Sequence, residues 1–432
     1  MSKQTIKMPE TKYMITMVNL LTQSEPRKES GFPMFFRASV AILIVVMITA
    51  STGRVNEEEL PELSNQVAIS LTEVSRYGDS DDHLIGVFSA IAVDEQNRVY
   101  IADRNQTVIH VFDEESDYLT SMGRKGRGPA EFSAITPNTT MQIHGDHLYV
   151  TDYANEWNFF PDRVQVFSLS DLQFSHTVNL LLDRDQRSSN LSGFYPMWVY
   201  PRKEGNLLVA YQRMPADYRD GESRIQYVLQ TRKGEMIESD LYSQPDKTQL
   251  IYYVRNAPMP YEATHAFSFF PQSLFTVTSD DRFISARTDQ FELSVYNASG
   301  EQVNQISHPV DPLPASRGEL IGMYENRLPS LGEGVAAAMI READDLPETW
   351  PVLRNLLSDD EGQIWASVVV EDFNLNEWWV LRPDGEVLGR FDWPRSKPIE
   401  VVRNGHVYTR ETDEETGLQQ VVRYRIEFSQ GN

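Results

Sequence analysis

The side chains able to do chemistry are few in kind and scattered along the chain. There is no cysteine, which excludes disulfides, thiolate metal sites, cysteine nucleophiles and a lipid-modified cysteine. The eight histidines (83, 110, 144, 147, 176, 265, 308 and 406) include no His-Glu-x-x-His pair, and no Gly-x-Ser-x-Gly motif occurs. His144 and His147 flank a Gly-Asp pair, so they belong to a hairpin turn rather than to a zinc site. Asp79, Asp81, Asp82 and His83 make a compact acidic group, but it lacks the spacing of a calcium loop. Arg124, Lys125 and Arg127 form one basic cluster, suited to a carboxylate or phosphate, or to balancing neighbouring carboxylates. Trp157, Phe159, Phe160, Tyr218, Tyr252, Tyr253, Tyr261 and Phe373 fall in loop-like segments. Aromatics there stack on sugars or anchor a peptide, unless they only pack the loops onto their scaffold.

The composition narrows the field. With 432 residues, 41% apolar and 24% charged, the chain can bury a substantial core. A net charge of −24 argues against a nucleic-acid surface and for a cationic or neutral partner. Residues 1–37 run against this trend, with six basic and three acidic side chains, and an apolar run at 38–50 follows. That run is short of the ~20 residues of a spanning helix and within the ~7–15 of a secretory core. The order basic, apolar, then Ser51-Thr52-Gly53 predicts a signal peptide or anchor at 34–53, within a targeting segment 1–53. Residues 1–33 are then an over-long start or a cytoplasmic tail. The predicted location is periplasmic or cell-surface, with the membrane touched only through this segment. Acidic residues 54–66 read as a linker.

From residue 67 the chain repeats. Six segments share an apolar strand, a polar turn and a second strand that opens on a large apolar residue: 90–103, 141–152, 199–211, 276–287, 356–368 and 401–411. Their Asp, Asn and Gly turns suit hairpins, and each pair is followed by another alternating strand. The second-strand anchors are Tyr100, Tyr149, Leu208, Ile284, Trp365 and Tyr408, spaced 49, 59, 76, 81 and 43 residues apart. A four-stranded blade takes ~40–50 residues, so the longer intervals carry insertions. The pattern predicts an all-β protein, a six-bladed β-propeller of four-stranded antiparallel blades over 67–428. The sixth unit stops at Phe428 without an outer strand, and the strand-like segment 67–79 is placed to supply one and close the ring.

The run GRKGRGPAEF (123–132) resembles the glycine-rich signature of NHL-type six-bladed propellers, with Ala130 where that family has glycine. In such a fold the loops from second to third strand and from blade to blade share one face. The long insertions 153–161, 213–223, 243–264, 310–349 and 371–376 all belong to these classes. Segment 310–349, between blades four and five, is expected to be helical. Ser316 and Glu319 have capping-box spacing, Leu320, Met323 and Tyr324 share a face, and 334–343 follows as a second helix. It would form a lid over the channel or a plug packed down as core.

Three residues beyond each anchor stand Asp103, Asp152, Tyr211, Arg287, Val368 and Glu411. Similarity in fold to six-bladed lactonases implies one divalent ion held by carboxylates and an asparagine. Asp103, Asp152 and Glu411 are the candidates here, although an Asp ending a strand also caps turns. No catalytic residue is assigned, and a divalent cation is the one cofactor considered. The expectation is an exported ligand- or protein-binding propeller using its loop-bearing face. Arg124, Lys125, Arg127, Trp157, Phe159, Phe160, Tyr218, Tyr252 and Tyr253 are its candidate contacts for a protein, peptide or saccharide. The alternative is a metal-dependent lactonase or hydrolase.

Overall fold

The structure, a computed structural model, describes residues 67–80, 83–181, 191–213, 224–246, 249–255, 259–324 and 334–430. The signal or anchor at 34–53, the linker and Tyr218 lie outside the described residues, as do Asp81 and Asp82. Among the described residues no helix is long and apolar enough to cross a membrane.

Short alternating segments fold into six antiparallel four-stranded blades. The first comprises Phe88–Val93, Val99–Asp103, Val108–Phe112 and Tyr118–Met122. The second comprises Met141–His144, His147–Asp152, Arg163–Ser168 and Phe174–Asn179; the third, Phe194–Pro201, Leu207–Arg213, Arg224–Gln230 and Met236–Pro245. Blade four is built from Ser273–Val277, Phe283–Arg287, Glu292–Tyr296 and Gln302–Ser307, and blade five from Leu353–Ser358, Ile364–Val369, Leu375–Leu381 and Val387–Pro394. Blade six takes Ile399–Arg403, His406–Thr412 and Gln419–Gln430 from the C-terminal end and Val67–Tyr77 from the N-terminal end. Inner hairpins turn on residues held at positive φ, Asn97 and Asp281 among the non-glycines, which lets them stay tight.

A blade exposes an apolar face on each side, and neighbours cover it. One apolar cluster fills each gap between successive blades around the ring. Anchors Tyr100, Tyr149, Leu208, Ile284, Trp365 and Tyr408 are all buried in these gaps.

The ring closes as the incomplete last unit predicts. Val67–Tyr77 pairs antiparallel with Gln419–Gln430, placing Ile69 opposite Phe428. The same strand reaches one blade further, since Val67 and Ala68 pair in parallel with Gly389 and Arg390 of blade five. Blades five and six thereby merge into one eight-stranded sheet. Gly389 permits this approach, because a Cβ there would lie 2.6 Å from the Val67 carbonyl oxygen.

The insertions build a second small core. Segment 243–264, read from sequence as a loop, instead ends blade three and then forms a hairpin, Leu250–Val254 with Tyr261–His265. Helices α1 (Arg317–Tyr324) and α2 (Val335–Glu342) follow blade four. Ser316 and Glu319 make the expected capping box: the Ser316 N–H donates to the Glu319 carboxylate at 2.8 Å, and the Glu319 N–H to Ser316 Oγ at 3.3 Å. The Arg317 guanidinium donates to the carbonyls of Ile340, Arg341 and Ala343, tying the start of α1 to the end of α2. Leu320, Tyr324, Ala336, Met339 and Ile340 bury themselves with Ala263, Phe267, Phe269 and Trp350. The helices therefore pack down as core with the hairpin.

Candidate binding face

Antiparallel blades place second-to-third-strand loops and blade crossovers at one end of the ring. Blade two contributes the loop 153–162 there. Its root is fixed: Tyr153 is buried and donates its hydroxyl to the Asn138 carbonyl at 2.7 Å. Phe160 stacks on Tyr195 of blade three with centroids 4.5 Å apart. Between these anchors the loop turns out, with the Trp157 N–H held by Asn155 Oδ1, and Trp157 is 85% exposed and Phe159 64%.

The basic cluster lies beside it in the crossover 123–132, which is ordered by its own hydrogen bonds. Phe132 is buried against blades one and two. Arg163 donates to the carbonyls of Arg127 and Glu131, and the Gly128 N–H and Arg124 both donate to the Glu131 carboxylate. The Gly128 amide and then Arg124 hold that carboxyl below its ordinary pKa. Lys125 pairs with Glu156 at 2.9 Å. Arg124 and Lys125 thus balance local carboxylates, in pairs weak enough for a partner to exchange, while exposed Arg127 makes no ion pair among the described residues. Ala130, at the place of the signature glycine, has φ +60°.

The accessory hairpin adds a second projection. Tyr252 faces inward and packs on the small core, while Ile251, Tyr253, Met259 and Tyr261 are exposed, Met259 at 82%. A cleft of about 520 Å³ runs along the hairpin where it packs on α2, lined among others by Tyr253, Arg255, Met339 and Glu342.

The three candidate carboxylates each serve their own surroundings. Asp103 accepts the N–H groups of Asn105 and Gln106 and faces His110 at 3.4 Å. Burial raises its pKa, but His110 and the two amides outweigh this and leave it lowered. Asp152 accepts Arg163 at 2.7 Å and the Ser133 N–H at 2.8 Å; burial still leaves its carboxyl raised. Glu411 accepts the Tyr424 hydroxyl and pairs with Lys397. These residues do not converge, and among the described residues no group of three His, Asp or Glu side chains is arranged to hold a metal.

The axial cavity lies at the opposite end. About 260 Å³ in volume, it is lined by the far ends of all six innermost strands, where the turns are tight. His144, Asp359, Asp360, Glu400 and Arg403 reach it. Burial lowers the His144 pKa, raises that of Glu400 and pushes Asp359 up to about 6. Turn-to-turn hydrogen bonds bind the blades here: Asn404 joins blade six to Asp94 and Asp360, and Ser279 donates to the Asp360 carbonyl. The sequence did not mark this lining; of its residues only Asp359 belongs to a repeated pattern, standing six residues before Trp365 as Asp94 stands before Tyr100.

No curated protein matches this chain. Among solved structures, a member of the DUF4221 family from Bacteroides vulgatus is similar at 11% identity, over 85% of this chain and 100% of its own, with a TM-score of 0.49. A Bacteroides fragilis protein named as a candidate exported protein matches at 12% identity, over 84% of this chain and 95% of its own, with a TM-score of 0.45. The PQQ-bound aldose sugar dehydrogenase from Streptomyces coelicolor matches at 9% identity, over 84% of this chain and 100% of its own, with a TM-score of 0.40. A family profile described as a 6-bladed beta-propeller matches residues 78–306, more than half of the sequence, and the chain belongs to that family, DUF5128.

Proposed function

We propose that this chain is an exported binding propeller that captures a protein or peptide on its loop-bearing face. The observation that carries this reading is the exposure of Trp157 and Phe159 on a loop whose root is fixed. A large apolar side chain held out in water by an ordered loop gains free energy when a partner covers it. Tyr253, Met259 and Tyr261 on the accessory hairpin add the aromatic and methionine surface that protein interfaces favour. The ion pairs Arg124–Glu131 and Lys125–Glu156 supply a polar rim. The glycine-rich crossover supports an NHL-like kinship, and the basic, apolar and small-residue order of 34–53 supports export to the periplasm or cell surface.

The test places a photo-reactive residue at 157 or 253, with a control at Ser299 in a tight turn of the other face. Specific adducts to one partner from 157 or 253 but not from 299 are expected in native cell-envelope fractions. Adducts from 299 alone would defeat the reading. So would saccharide capture at 157, or turnover of lactones or esters with a bound divalent ion.

A further inference from the structure

The crossover 123–132 and the loop 153–162 form one continuous surface, because the loop meets the crossover at both of its ends. Near its start Glu156 pairs with Lys125, and just past its end Arg163 donates to the carbonyls of Arg127 and Glu131 at 2.9 and 3.0 Å. The crossover is also closed by its own backbone. The Gly126 N–H donates to the Phe132 carbonyl, and the Phe132 N–H to the Arg124 carbonyl. The Glu131 carboxylate sits against Gly126 and Gly128, so close that a side chain at Gly126 would collide with it. Arg124, Lys125 and Arg127 therefore stand on a backbone that is ordered before any partner arrives.

The charges on this surface are unequally exposed. In the pair Arg124–Glu131 the arginine side chain is 78% exposed and the glutamate side chain 20%. Lys125 and Glu156 are both largely exposed, and a pair of that kind adds little stability. Across the crossover and the tip of the loop, 123–132 and 154–160, solvent thus meets three exposed cations and one exposed carboxylate, Glu156. The whole chain has a net charge of −24, so this rim runs against its surroundings. Trp157 follows Glu156 directly and Phe159 comes two residues later, which sets exposed aromatic surface beside the cations.

We propose that the segment captured on this rim is acidic, a stretch of polypeptide in which carboxylates flank a large apolar side chain. This rests on the reading that the loop-bearing face takes up a protein or peptide, and adds the partner's charge to it. The apolar side chain covers Trp157 and Phe159, one carboxylate replaces Glu156 on Lys125, and others meet the guanidinium forks of Arg124 and Arg127. A long polyanion such as nucleic acid is disfavoured, because three cations do not offset the field of the whole chain along its length. A short segment escapes that field. At ~0.15 M salt the Debye length is about 8 Å, so carboxylates elsewhere on the propeller are screened and the contacting charges decide.

The experiment follows, on the full chain at ~0.15 M salt, the fluorescence anisotropy of a labelled, end-capped peptide that alternates glutamate with leucine around a central tryptophan. Its glutamine and lysine counterparts are the controls. The glutamate peptide is expected to bind saturably and about tenfold or more tightly than the glutamine one. Lys125→Gln combined with Arg127→Gln should close most of that gap, and Trp157→Ala should weaken both peptides, all with the unfolding transition unchanged. Glu156→Gln should tighten the glutamate peptide about two- to fivefold, the worth of one exposed ion pair, which loss of a merely structural contact would not do. Equal affinity for the glutamine peptide, tighter binding of the lysine peptide, or no tightening in Glu156→Gln would overturn the inferred charge. If Trp157→Ala still weakened binding in those cases, the face itself would stand. Absence of saturable binding by the glutamate peptide also overturns the inference, and the adducts from position 157 then judge the face separately. Binding indifferent both to Trp157→Ala and to the paired cation variant would overturn the two together.

Discussion

Asp359 accepts the indole N–H of Trp365 at 3.0 Å across the inner hairpin of blade five, as Asp94 accepts the hydroxyl of Tyr100 at 2.9 Å in blade one. In both, the other carboxylate oxygen caps the turn, accepting the N–H of Gln363 or of Gln96 and Arg98. One acidic side chain therefore fixes a turn and aims a buried aromatic into the gap between blades.

Asp359 makes stability depend on pH. Its folded value of about 6 lies above its ordinary value of 3.8, with burial as the largest cause. The fold therefore prefers the protonated acid, and the associated stability is lost as pH rises from about 4 to 6. Asp359→Asn should remove this dependence. Urea titrations from pH 4 to 7 should show the variant gaining on the wild type by on the order of 2–3 kcal/mol. A constant offset would mean that the carboxyl titrates normally.

Ala130 sits at φ +60°, where an L side chain is strained and glycine is not. Ala130→Gly should stabilise the crossover by roughly 0.5–1 kcal/mol once the greater freedom of glycine in the unfolded chain is set against the strain removed. Chemical denaturation measures this, and a destabilised variant would show that the strain is absent.

Removing residues 1–60 should leave the cooperative unfolding transition in place, while removing 1–78 takes away the fourth strand of blade six. The exposed edge of Gln419–Gln430 should then drive association or loss of the native transition. Sedimentation and thermal melts of the two truncations test this; a monomeric and equally stable shorter form would contradict it.

Trp350 is buried in the insertion core, whereas Trp157 is in water. Trp350→Ala should destabilise that core by about 3–5 kcal/mol and open 310–349 to proteases, leaving the blades protected. Trp157→Ala should change stability by no more than about 0.5 kcal/mol. Limited proteolysis and hydrogen exchange separate the two.

The blades were legible because strand alternation, turn residues and buried anchors repeat, and because the missing outer strand at Phe428 called for a donor. The capping box at Ser316 and Glu319 was legible for the same local reason. The accessory hairpin was not: its strands 250–254 and 261–265 alternate too, but their pairing is stabilised by packing on helices far along the chain.

The strand that seals the ring joins the two ends of the folded chain: Ser429 Oγ donates to the Ala68 carbonyl across 361 residues. During synthesis, Val67–Tyr77 emerges more than 300 residues before its partner Gln419–Gln430, so the circle cannot be completed until that partner has been made. The long separation makes this a slow, late event, and until it occurs the chain presents two unpaired edges. Whatever the other blades have formed by then, the first and last strands of the ring wait on each other.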